Sequence, residues 1–180
     1  MHVSRTPDSL IQLLEIRPLG VDELSTARYV VGAAFQRSAK DYYSASEIEA
    51  FADFVRSPHF GDILLGNRAY CAWVGSEMVA VGAWGVGEAQ GLTARILTLF
   101  VHPLFGNHGL GTRLADYIAD DARAAGFRAL ETSATLCAAG FFERLGYVAV
   151  RNGVWRLPSG RELPVVSMRH TADARADLLH

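Results

Sequence analysis

Two cysteines are all that this 180-residue chain carries. Cys71 and Cys137 stand far apart and form no C-x-x-C pair, so neither a disulfide framework nor a zinc site is indicated, and a reducing, cytoplasmic setting fits. There is no excess of basic charge: 17 Lys and Arg stand against 19 Asp and Glu, for a net charge of −2. That absence removes the electrostatic footprint of a nucleic-acid binder and leaves a small-molecule partner as the better expectation. No uninterrupted apolar segment reaches the ~18 residues of a membrane span, and Met1 to Pro7 lacks the apolar stretch of a secretory leader. The expectation is a soluble protein with no membrane partner. Internal repeats and low-complexity segments are also lacking. What the chain does hold is apolar residue, 50% of its length, enough for the core of one ordinary domain.

The apolar positions change period along the chain. Leu14 to Leu19 alternates as a strand with a proline at its end, and Gly20-Val21-Asp22 opens a helix carrying Leu24, Ala27, Val31 and Phe35. Ser44-x-x-Glu47 is a capping box for a second helix, with Ile48, Phe51, Ala52 and Val55 on its apolar face and a stop near Ser57-Pro58. Arg68 to Val74 and Met78 to Trp84, joined at Gly75-Ser76, read as an antiparallel hairpin. A glycine-rich loop from Gly85 to Gly91 leads to a strand over Ala94 to Val101. A helix from Gly109 to Ala125, closed by Gly126, precedes a strand over Ala129 to Thr135. A short helix from Cys137 to Leu145, a strand over Tyr147 to Val150 and a last strand over Glu162 to Arg169 complete the order. Residues 1–13 read as a loose extension, 14–170 as the domain and 171–180 as a polar tail. Mixed strands with helices between them imply an α/β domain: a mixed, partly antiparallel central sheet with helices on both faces.

The densest chemistry lies where Leu99-Phe100-Val101-His102-Pro103 runs through Gly106-Asn107-His108-Gly109-Leu110-Gly111-Thr112 into a helix. Leu110, Leu114, Tyr117, Ile118 and Ala122 recur at helical spacing, so the loop delivers unpaired N–H groups and the positive end of a helix dipole to one point. A diphosphate suits such a point. A P-loop needs a lysine where Thr112 stands, and a dinucleotide fingerprint needs a third glycine after Gly109-Leu110-Gly111. Both ATP and NAD are therefore disfavoured.

What remains, V-x-P, a short loop and then G-x-G, resembles the coenzyme-A loop of the acetyl-CoA-dependent N-acetyltransferases of the GNAT superfamily. The segment Ala138-Ala139-Gly140-Phe141-Phe142-Glu143-Arg144-Leu145-Gly146-Tyr147 resembles the family's A-x-x-F-Y-E-x-x-G-F motif. The element order over roughly residues 14 to 170 is similar to the family fold, and Tyr42-Tyr43-Ser44 resembles a bacterial subgroup. The resemblance implies acetyl-CoA as co-substrate. Its pantetheine arm would pair with Leu99, Phe100 and Val101, and its diphosphate would take N–H bonds from Gly106, Asn107, His108, Gly109, Leu110, Gly111 and Thr112. The segment opening at Cys137, with Phe142, would flank the thioester, and a main-chain N–H at Phe100 or Val101 would meet the developing oxyanion. The acceptor would be a small-molecule or peptide amine, held by the first two helices, the Gly85 to Gly91 loop and the final hairpin. Relatives often dimerise, which suggests a homodimer to which Trp155 and the last strands contribute.

Departures from the family pattern fall on the catalytic groups. Phe142 stands where a tyrosine often serves as general acid, Leu97 where a carboxylate is often seen, and Gly106 where an arginine or glutamine often opens the loop. Tyr147, Tyr43, Glu88 or a water held by Thr98 is expected to substitute; acetylation unchanged in all four single variants would refute this. A non-catalytic acyl-CoA-binding module is the alternative. Phe141, Phe142, Tyr147, Trp73, Trp84 and Trp155 read first as core. Cys137 reads as a packing residue, His102 and His108 as solvated loop residues without metal-ligand spacing, and Asp116, Asp120, Asp121 and Arg123 as the wet face of their helix.

Overall fold

The computed structural model describes residues 7–88 and 92–171. Part of the glycine-rich loop expected up to Gly91 and nearly all of the expected polar tail lie outside the described residues. The elements run α1 (Pro7–Gln12), β1 (Leu14–Pro18), a 3-10 turn (Val21–Glu23), α2 (Leu24–Ser38), α3 (Ala45–Arg56), α4 (Pro58–Leu65), β2 (Arg68–Val74) and β3 (Glu77–Val86). They continue with β4 (Thr93–Val101), a 3-10 turn (Pro103–Phe105), α5 (Leu110–Ala124), β5 (Ala129–Thr135), α6 (Ala139–Arg144), β6 (Val148–Arg156) and β7 (Glu162–Thr171).

The strands form one seven-stranded sheet in the order β1-β2-β3-β4-β5-β7-β6. Its neighbours are antiparallel except β4 and β5, which run parallel. Helices cover both faces, as the alternation of periods requires. On one face Leu110, Leu114 and Ile118 of α5 pack with Leu10 of α1 against Tyr70, Val79, Trp84 and Ile96. On the other, Val31 and Phe35 of α2, Phe51 and Phe54 of α3 and Phe60 of α4 pack against Cys71, Val81 and Leu163. No helix among the described residues is long and apolar enough to cross a membrane.

Local signals explain most boundaries. Ser44 Oγ accepts from Glu47 N at 3.2 Å while Glu47 Oε1 accepts from Ser44 N at 2.8 Å, so the capping box closes as the spacing requires. Pro18 sits at the end of β1, an edge strand, where its missing N–H costs no ladder bond. Two helices depart from expectation. Pro58 does more than end α3: with Ser57 as N-cap, accepting from Phe60 N at 3.4 Å, it opens α4 at the first helical position, where proline is favoured. The stretch before Leu13 is not loose at its inner end, because Pro7–Gln12 is helical and Leu10 is buried in the core. Strand β6 extends to Arg156, well past Val150, because β7 supplies a continuous partner.

Candidate active site

Strands β4 and β5 pair only from Thr93 opposite Ala129 to Ile96 opposite Thr132. Beyond that point β4 stays with β3 as far as Val101 opposite Ala80, and β5 stays with β7 as far as Thr135 opposite Val165. The two strands therefore part and leave a wedge between their C-terminal ends. A bulge marks the parting: Thr98 faces Ala83 and Ile96 faces Trp84, so Leu97 is the extra residue that bends β4 away.

The register also settles which backbone groups face the wedge. His102 N donates to Val79 O at 2.8 Å, and antiparallel ladders alternate, so Phe100 turns its N–H and C=O toward β3 while Leu99 and Val101 turn theirs into the gap. Of the two N–H groups expected to meet an oxyanion, that of Val101 faces the gap and that of Phe100 does not; the N–H of Leu99 also faces the gap. That correction follows from strand alternation alone.

At the wide end of the wedge lies a cleft of about 410 Å³, lined on one side by Leu99, Phe100 and Val101 and on the other by Thr135, Cys137, Ala138 and Phe141. Gly106, Asn107 and Gly111 close its third side, and Arg37 and Ser38 of α2 overhang it. Helix α5 starts here without a side-chain cap. Its N-cap Gly109 is left-handed at φ 76°, and the first helical bond runs from Arg113 N to Gly109 O at 3.1 Å. The N–H groups of Leu110, Gly111 and Thr112 thus have no helical acceptor, which concentrates positive potential at the cleft. Gly111 is needed for closeness: a Cβ there would stand 3.2 Å from Val101 Cγ2 and 3.3 Å from Phe141 Cε2. Leu110, by contrast, sends its side chain into the core and offers only its backbone. His108 Nδ1 is buried with no hydrogen-bond partner, whereas His102 Nδ1 accepts from Leu104 N at 3.2 Å.

The four residues expected to supply an acid or base are scattered. Thr98 is buried and lines the spaces leading into the cleft. Tyr43 is close behind Cys137, but its hydroxyl donates to Pro164 O at 2.6 Å and accepts from Leu136 N at 2.8 Å. Burial pushes its pKa up to about 12, so passing its proton to a thiolate is strongly uphill. Tyr147 lies elsewhere, packed on Phe142 and His170 in a small separate pocket with Arg123 and Asp116. Burial raises its pKa as well. Glu88 is exposed beyond the other end of β4, paired with Arg95 at 3.1 Å. Cys137 lines the cleft with Sγ 3.4 Å from Thr135 Oγ1, and Phe142 is buried beneath the passage between the strands.

Sequence reading missed two groups. Asp121 is not simply a wet-face residue: it accepts from Tyr70 at 2.6 Å and Trp84 Nε1 at 2.8 Å and pairs with Arg68 at 3.2 Å, tying α5 to β2 and β3. Burial opposes its charge, but these donors outweigh it and leave the carboxyl below its ordinary pKa. The second is a cavity of about 160 Å³ on the α3–α4 side of the wedge, lined by Phe54, Phe60, Ile63, Leu97, Thr98 and Trp155. Its residues come from five separate elements, so no spacing in the sequence announces it. Among the described residues no group of His, Cys, Asp and Glu could hold a metal ion.

The parted parallel pair, the bulge on its first strand and the uncapped glycine-rich helix start together define a class of α/β folds with a ligand wedge at the middle of the sheet. Residues 31–147 match the Acetyltransferase (GNAT) family, and the chain belongs to that family. A GCN5-related N-acetyltransferase of Rhodopseudomonas palustris is similar at 25% identity and TM-score 0.78, over 87% of this chain and 94% of that one. An N-acetyltransferase of Thermoplasma acidophilum, solved in complex with coenzyme A, shares the fold at 16% identity and TM-score 0.61, over 88% and 98%. So does an acetyltransferase of Salmonella typhimurium with its cofactor acetyl-CoA, at 17% identity and TM-score 0.60, over 90% and 95%. No curated protein sequence matches the chain.

Proposed function

We propose that this protein is an N-acetyltransferase that takes acetyl-CoA as co-substrate and passes its acetyl group directly to an amine. The observation that carries this is the wedge: two unpaired backbone positions of β4, Leu99 and Val101, run toward an uncapped helix N-terminus that Gly111 brings close. The residues fit the group. An extended pantetheine arm pairs with Leu99 and Val101 as a short strand would, and the diphosphate meets the N–H groups of the Gly106 to Thr112 loop and helix start. Family membership and the relatives solved with coenzyme A or acetyl-CoA support acetyl-CoA as the co-substrate.

The amine nitrogen forms a bond to the thioester carbonyl carbon, the C–S bond breaks, and the proton shed by nitrogen ends on the coenzyme-A sulfur. The N–H of Leu99 or Val101 stabilises the charge that gathers on the carbonyl oxygen. Holding amine and thioester together supplies up to ~7–11 kcal/mol of the barrier, against ~10²–10⁴-fold from an acid or base. Thr98 lines the path between the strands together with Ser133 and Thr135, where it can hold a water for the proton.

Thermal unfolding with acetyl-CoA, against ATP and NAD controls, tests the cofactor. At ~100 times the dissociation constant a native-only ligand adds ~2.7 kcal/mol, and the shift is expected with acetyl-CoA alone. No shift removes the assignment. Phe142 and the engaged hydroxyl of Tyr43 favour a second reading, a non-catalytic acyl-CoA binder. A shift without turnover on any amine would establish that second reading.

A further inference from the structure

The cavity on the α3–α4 side of the wedge has a composition that selects a substrate. Its volume is about 160 Å³, close to the ~150 Å³ of an apolar protein cavity that takes up benzene. Its walls are aromatic and set edge to face: Phe54 and Trp155 have centroids 4.7 Å apart at 80°, Phe54 and Phe60 5.5 Å at 79°. That arrangement presents ring faces and edges to whatever enters.

Charge is matched within its walls. Arg95 is the charged residue lining the cavity; its guanidinium pairs with Glu88 at 3.1 Å and stands 3.5 Å from Glu131, while its buried Nε makes no hydrogen bond. No carboxylate lines the space among the described residues, so a polyamine finds no counter-charge there. An amino-acid carboxylate would meet an arginine already flanked by two glutamates. A narrower space of about 40 Å³ shares Leu97, Thr98 and Ser133 with this cavity and Leu99, Phe100 and Thr135 with the cofactor cleft. The three spaces thus follow one another along β4. Leu97 and Leu99 are two residues apart on β4, so only a short alkyl chain separates a ring in the cavity from an amine at the cleft.

We infer that the acceptor is an arylalkylamine, a primary amine on a short chain carried by one aromatic ring, with the ring in the aromatic cavity and the nitrogen delivered past Thr98 to the thioester. This rests on the acetyltransferase reading and names its substrate class. The apolar walls do chemical work as well as binding. They desolvate the ammonium and lower its pKa, so the nitrogen arrives neutral without a dedicated base. The balance is that of the transfer above: the ammonium first gives one proton to water, the neutral nitrogen then forms N–C as C–S breaks, and the second proton shed by nitrogen passes by Thr98 to the departing sulfur.

The experiment measures coenzyme-A release by the full chain with acetyl-CoA and 2-phenylethylamine, ethylamine or spermidine. Burying one ring predicts kcat/KM for 2-phenylethylamine about tenfold to a hundredfold above ethylamine, with spermidine no better than ethylamine. Ser133 is exposed at the rim, so Ser133→Phe fills the cavity from outside the core. That variant is expected to bring the ratio toward one while its stabilisation by acetyl-CoA shows that it is folded. Ile63→Trp narrows the same space from α4 and should do likewise. Turnover of ethylamine or spermidine equal to that of 2-phenylethylamine overturns the inference and leaves the acetyltransferase standing. So does an aryl preference that survives both variants. No turnover with any of the three amines overturns the inference, and the acetyl-CoA shift then decides whether cofactor binding survives it.

Discussion

At Tyr43 one hydroxyl ties β7 to the turn that follows β5, its proton on Pro164 O and its oxygen accepting from Leu136 N, across the base of the cleft. Removing it leaves a buried donor and a buried acceptor unpaired, which costs about 1–3 kcal/mol. Tyr43→Phe is therefore expected to lower the unfolding free energy, measured by urea titration, by that amount while the pH profile of acetyl transfer keeps its shape; a profile that loses one limb would instead make Tyr43 an acid. The residue was singled out in the sequence only beside a capping serine and a family resemblance. Its bracing role was not legible there, because Pro164 is 121 positions away and only the folded sheet brings it near. Tyr147 shows the same limit in reverse: its motif is recognisable, but the turn at Gly146 sends it under α5 and not toward the cleft.

Elements whose signals are local were legible, and those built by a neighbour were not. The capping box of α3, the glycine at the turn of the β2–β3 hairpin and Gly126 after α5 could be read directly, since each satisfies a requirement of its own backbone. The bulge at Leu97 could not, being a single extra residue in a strand that otherwise alternates. Helix α5 shows how an element carries function through what it lacks. With no side-chain cap and with Gly111 against β4, its first turn keeps its N–H groups available. In Gly111→Val, β-branched bulk must push Val101 and Phe141 apart, and acetyl-CoA is expected to bind at least tenfold more weakly by calorimetry. Gly106→Ala is the control, because a Cβ there meets nothing nearer than Pro103 O at 3.5 Å. A Gly111→Val affinity equal to that of the unsubstituted protein would show that close approach at Gly111 does not matter.

For the whole molecule, Asp121 links the helical layer to the sheet, and its titration sets how the protein meets acid. Its native pKa lies below the unfolded value of ~3.9 because Tyr70, Trp84 and Arg68 hold the charged form against the cost of burial. A depressed carboxyl stabilises the fold above the unfolded pKa, and that contribution disappears as pH falls through the native one. Asp121→Asn is expected to lose about 2 kcal/mol at pH 7 and to approach wild type as pH drops below 4, as followed by guanidinium unfolding across that window. A loss that stayed constant down to pH 2 would show that the shape of the side chain, and not its charge, matters.

The sheet itself is joined at its middle by only four parallel residue pairs, Thr93 to Ile96 against Ala129 to Thr132. Mechanically it is two plates, β1 to β4 and β5 to β7, riveted along one short seam and held apart beyond it. A cofactor arm lying along Leu99 and Val101 would behave as a missing rung between the plates, so the occupied protein is the more nearly complete sheet. Ligand and architecture are then one accounting: the backbone groups that make the empty protein weaker along this line are those that give the bound one its hold.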